Sequence, residues 1–90
     1  MENNVKVLKL ITGEEVIARV EPKNTMLILE TPMILQIIHG QHKMSHVLVP
    51  WIMSGKGKKI SISIDHVIAQ DEPKDKSEKN YLASVTGLTL

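Results

Sequence analysis

Residues 60–64 read Ile-Ser-Ile-Ser-Ile, a strict alternation with β-branched isoleucine at every apolar position. Successive side chains of a strand point to opposite faces, so Ile60, Ile62 and Ile64 share one side and Ser61, Ser63 and Asp65 the other. A helix would scatter the same residues around its circumference. The stretch 59–64 is therefore expected to be a strand with one buried face, and a strand needs neighbours for its backbone groups.

The rest of the chain offers candidates for those neighbours. Residues 5–11 interleave β-branched and aliphatic side chains with Lys6 and Lys9, and Thr12-Gly13-Glu14 then marks a turn. Residues 15–21 place Val16, Ala18 and Val20 on one face and Ile17 with Glu15, Arg19 and Glu21 on the other. Pro22-Lys23-Asn24 leads into residues 25–30. Pro32 interrupts the next apolar run because it has no N–H for a ladder, yet the run resumes at once through residues 33–38. One long strand, bent or bulged at the proline, explains this best. A polar loop, residues 39–43, precedes a strand-like segment 45–53, in which Pro50 suggests an edge or a bulge. Residues 54–58 (Ser-Gly-Lys-Gly-Lys) read as a tight, flexible, basic turn. Five short strands predict an all-β fold with a short C-terminal helix: a small, strongly bent five-stranded barrel of the SH3-like shape.

Ninety residues suffice for one core. The chain is 42% apolar but has no Phe, one Trp and one Tyr, so that core is aliphatic. Burial against further copies is a common remedy for so small a core. The tail, residues 71–79, is charged and linker-like. Ser77 is expected to cap a helix of about two turns through Leu82 and Val85, ended by Gly87 and stable only when docked through Tyr81, Leu82 and Val85. The chain thus divides into a barrel, residues 1–70, and a linker with a docked helix, residues 71–90. The polar start Met1-Glu2-Asn3-Asn4 lacks the apolar stretch of a signal peptide, and no apolar run approaches the roughly 18 residues that span a bilayer. A cytoplasmic protein without a membrane partner is expected.

A net charge of +1 leaves any polyanion binding to local clusters. Lys56, Lys58 and Lys59 form the strongest cluster. Their flanking glycines resemble a phosphate cradle, but the spacing of a nucleotide-binding loop is missing and no helix follows. They read either as a phosphate-contacting patch or as a solvated turn. His39, His42 and His46 have a metal-like spacing, without the helix and general-base glutamate of a zinc hydrolase. They are expected to bind no metal, and no cofactor is expected. Trp51 suits a core or a subunit interface better than a base-stacking platform. Asp65 and His66, being adjacent, would face opposite sides of a strand. His66 reads as structural. No nucleophile–base pair is traceable, so an enzyme is not expected.

Residues 5–20, with their Leu-x-Thr-Gly-Glu turn, are similar to the first two strands of the Sm-like (LSm) motif. Residues 25–30 would be its third strand, and residues 45–64 its fourth strand, short turn and fifth strand. The chain most resembles Sm-like proteins of marine phage, especially cyanophage, through that turn, Val49-Pro50-Trp51, Ile64-Asp65-His66-Val67, Glu72-Pro73, Tyr81 and Gly87-Leu88. The resemblance implies a bent barrel, cytoplasmic in the host if phage-encoded. It also implies a homo-oligomeric ring of about five to seven copies, closed by pairing of edge strands. Val47, Val49, Trp51, Ile60, Ile62 and Ile64 would lie at that interface. Single-stranded RNA, or DNA, would be bound near a central pore by Lys23, Asn24, Lys56, Lys58 and Lys59, in a role in RNA or DNA processing. The family's Asp, its Met-Asn pair, its Arg-Gly and its N-terminal helix are not reproduced here, and Leu27 stands about where the Asn would be. The alternative is a protein-interaction or assembly module of phage origin without nucleic-acid binding.

Overall fold

The computed structural model describes residues 4–40, 44–56 and 58–88. Strand β1 (Val5–Leu10) returns as β2 (Glu15–Lys23) through Gly13, whose φ of 97° is one that glycine adopts without steric cost. Asn24, at φ 59°, turns β2 into the long strand β3 (Met26–His39). Then follow β4 (Met44–Pro50), β5 (Lys59–Ser63), a 3-10 turn (Ile64–His66), β6 (Val67–Asp71) and helix α1 (Asp75–Leu88). The sheet is antiparallel with order β4-β3-β2-β1-β6, and β5 also pairs with β3. The mostly-β fold with a C-terminal helix agrees with the sequence expectation. Among the described residues six strands stand where five were expected. The sixth arises because Ser63 caps a 3-10 turn, its hydroxyl accepting from the Asp65 N–H at 3.3 Å, and the chain then runs back along β1. Asp65 and His66 accordingly lie in that turn and not on a strand.

The bend at the proline is present, and β3 remains one strand through it. Ile17 faces Met33 and Arg19 faces Glu30, so Thr31 and Pro32 together oppose Ala18. This is a bulge. Thr31 takes φ 48°, a left-handed conformation unusual for a β-branched residue.

β4 and β5 do not form the hairpin expected of residues 45–64. Each pairs with β3: Pro50 stands opposite Met33, and Lys59 opposite Glu30. They are two halves of one line interrupted at the bulge. The Trp51 N–H donates to the Pro32 carbonyl at 3.0 Å as the chain leaves the line, and the Thr31 N–H donates to the Lys58 carbonyl at 2.8 Å as it returns. The expected strand 45–53 therefore ends at Pro50, and residues 51–56 and Lys58 lie in a side excursion.

Two apolar clusters lie on opposite faces of the sheet. The inner one contains Leu8, Leu10, Val16, Ala18, Val20, Leu27 and Leu29. Ile62 of β5 and Val67 of β6 both pack against it, although those strands sit at opposite ends of the sheet. A sheet whose two ends share one core is rolled like a barrel. The outer cluster joins Val5, Ile17 and Met33 to Tyr81 of α1, with Leu82 and Val85 packed beside them. Helix α1 thereby covers Ile17, the apolar residue on the charged face of β2. The helix runs from Asp75 to Leu88, 14 residues or about four turns where two were expected. Ser77 therefore lies in its first turn and does not cap it, and Gly87 lies within it and does not end it. The linker shrinks from residues 71–79 to residues 72–74.

Tyr81 is fully buried. Its hydroxyl donates to the carbonyls of Glu30 (2.8 Å) and Thr31 (3.1 Å) and accepts from the Arg19 N–H (3.3 Å). These are ladder groups released by the bulge, so one side chain satisfies what the proline disrupts. Beside it, the Arg19 guanidinium meets the Glu30 carboxylate at 3.4 Å, both side chains half-exposed. At the sheet's other end, Lys6 forms an exposed ion pair with Glu72.

Candidate nucleic-acid interface

Lys56, Lys58 and Lys59 are exposed at the excursion and at the first residue of β5. No acidic residue occurs from Trp51 to Ile64, so the charge of this segment is wholly positive. Together with Ile52, Gly55 and Ile60, the lysines border a shallow, open depression.

Lys23 and Asn24 are exposed at the β2–β3 turn. The residue that meets this turn is Ile64, whose N–H donates to the Thr25 carbonyl at 3.0 Å. The 3-10 turn with Asp65 and His66 is therefore its neighbour, and the lysine excursion is not. β5 separates the two basic sites: Lys59 stands opposite Glu30 and Ser63 opposite Met26. Four residue steps of strand amount to about 13 Å. The chain thus presents the lysine excursion and the Lys23–Asn24 turn at opposite ends of a strand, the latter beside the exposed Glu21 and Asp65.

Both ends of the sheet are open among the described residues. β6 pairs with β1, while β4 and β5 pair with β3. Of the candidate interface residues, Val47 and Val49 are half-buried on β4, and Ile60 is half-buried on β5. Trp51 and Ile62 pack on the inner core of their own chain. Ile64 is 46% exposed, near the 63%-exposed Ile68 and Ile11, the last of which donates its N–H to the His66 carbonyl.

His39 is exposed at the end of β3, and the backbone of His46 lies opposite Ile37. His42 lies outside the described residues. Among the described residues no three candidate metal ligands gather in one place.

The chain matches no protein-family model and no curated protein.

Three features escaped the reading of the sequence. The pairing of the β2–β3 turn with Ile64 depends on a 3-10 turn, which leaves no periodic pattern. The kink contact of Tyr81 joins residues some fifty positions apart. Ile52 and Met53 read as strand residues but lie in the excursion, and Pro50 followed by Ser54-Gly55 was the available signal that the strand stops early.

Proposed function

We propose that this chain is the subunit of a closed ring of the Sm-like kind, which binds single-stranded nucleic acid and carries out no catalysis. The observation that carries this reading is the pair of open edges at opposite ends of one rolled sheet. An open edge is a row of unpaired N–H and C=O groups, and pairing the β4–β5 line of one copy with β6 of the next removes both rows at once. In the terms of the resemblance, the interrupted β4–β5 line takes the place of the fourth strand and β6 that of the fifth. The connector between them is then the 3-10 turn Ile64–His66, which adjoins the β2–β3 turn. Lys23 and Asn24 would face the pore there. Lys56, Lys58 and Lys59 supply a second phosphate-contacting patch, repeated in every copy.

The test is the native mass of the purified protein, with fluorescence anisotropy of short A-rich and U-rich oligonucleotides across salt. The expected result is a multiple of 10.1 kDa and binding that weakens steeply as salt rises. A monomeric mass overturns the ring. Absence of salt-sensitive binding at low ionic strength overturns the nucleic-acid role.

A further inference from the structure

Lysines alone suit any polyanion, but the two apolar side chains beside Lys56, Lys58 and Lys59 do not. Ile52 is 41% exposed and Met53 74% exposed, consecutive in the excursion that leaves β4 at Pro50. Both line a mostly apolar depression together with Pro50, Ile60 and Val85. The base of the excursion is fixed by the two backbone hydrogen bonds to Pro32 and Thr31 and by Trp51, half-buried against the inner core. The segment is thus presented from a rigid foot, with apolar residues first and positive charge after them. Nucleic acid offers phosphates to the lysines, but its exposed base faces stack best on aromatic rings, and the aliphatic Ile52 and Met53 suit a fluid apolar medium better. The surface of an anionic bilayer offers both, with charged headgroups outside and acyl chains a few ångströms below.

We propose that residues 51–56, with Lys58 and Lys59, form a peripheral docking patch for an anionic lipid surface. Met53 and Ile52 enter the boundary between headgroups and acyl chains, while Lys56, Lys58 and Lys59 meet the headgroup anions. The contact is superficial and reversible; among the described residues no helix is long and apolar enough to cross a membrane. It requires neither ring closure nor the Lys23–Asn24 turn.

Trp51, the one tryptophan, stands at the loop's foot and serves as the reporter. The full-length protein is mixed with phosphatidylcholine vesicles with or without about 30% phosphatidylserine, and binding is read by co-sedimentation. Quenching of Trp51 by brominated acyl chains reads insertion. Binding is expected to be at least about tenfold stronger with phosphatidylserine, and accompanied by quenching. The I52S/M53S variant is expected to lose at least about tenfold in vesicle binding, and the quenching with it. Met53 does not border the shallow depression that Ile52 shares with all three lysines, so Met53→Ser is expected to lose vesicle binding while keeping its oligonucleotide affinity. The K56Q/K58Q/K59Q variant is expected to lose the preference for phosphatidylserine. If I52S/M53S unfolds early, Met53→Ser carries the same test at the more exposed position. Unchanged vesicle binding by the serine variants, or binding without quenching, means charge attraction alone and overturns the proposal. Oligonucleotide binding that falls in parallel with vesicle binding in Met53→Ser assigns the loop to nucleic acid and also overturns it. Native mass and oligonucleotide anisotropy of the unaltered protein report on the ring reading separately.

Discussion

At the scale of single residues, Tyr81 connects the helix to the weakest point of the sheet. Its hydroxyl bonds the Glu30 and Thr31 carbonyls and the Arg19 N–H, and its ring fills the space between Ile17 and Met33. Removing the hydroxyl alone, as in Tyr81→Phe, leaves the kink carbonyls buried and unpaired, at an expected cost of about 1–3 kcal/mol in urea denaturation. Burial pushes the phenol's pKa above its ordinary value of 10.0, against the opposing pull of the Arg19 N–H and charge. An unfolded tyrosine therefore ionises first as pH rises. The contribution is complete below pH 10.0 and is lost as pH climbs from there through the higher folded value. The difference in stability between wild type and Tyr81→Phe should consequently be constant near neutrality and shrink in strongly alkaline solution. A gap that widens with alkalinity would refute this account. Tyr81 was legible in the sequence as a docking residue, because a short amphipathic helix needs an anchor. Its hydroxyl partners were not, because they arise from a bulge in a distant strand.

At the scale of elements, alternation was the reliable guide. Residues 59–63 and 15–23 are strands, with Ile64, expected to end the former, turning out of it into the 3-10 turn, and β3 passes through Pro32 as one bent strand. Alternation does not report which strands pair. Residues 54–58 have the composition of a hairpin turn, yet β4 and β5 run in line along β3, because the bulge at Thr31 and Pro32 receives both ends of the excursion. Burial of Ile17 on the charged face of β2 was likewise invisible until α1 was placed over it. That helix covers residues whose exposure would otherwise be costly: Val5 is 3% exposed, Ile17 7% and Met33 3%. A chain truncated after Glu72 should therefore lose several kcal/mol of stability. Tyr81→Ala in the full chain should reproduce about 3–5 kcal/mol of that loss. Urea midpoints compare the three proteins. A truncated chain as stable as the full one would show that the helix rests on the sheet without supporting it.

At the scale of the whole molecule, the inner core closes the barrel while the backbone leaves it open. Ile62 and Val67 share that core from opposite ends of the sheet, but their strands do not pair with each other. Residues 60–64 therefore serve two purposes: Ile62 faces inward, and Ile64 emerges 46% exposed at the start of the 3-10 turn. Ile68, 63% exposed on the β6 edge, lies just beyond it. Paired edges in a ring would bury both side chains at each junction. A lysine at either position would then be desolvated without a partner, which costs far more than the lost apolar contact. In a monomer the same lysine is solvated and nearly neutral in effect. Ile64→Lys and Ile68→Lys should therefore lower the native mass toward 10.1 kDa, with little change in far-ultraviolet circular dichroism. Oligonucleotide affinity should fall with the mass, since separated subunits lose the repetition that multiplies a small positive patch. Retention of the full native mass by both variants would place the subunit contacts elsewhere on the barrel, and would remove the edge-pairing ring as the basis of nucleic-acid binding.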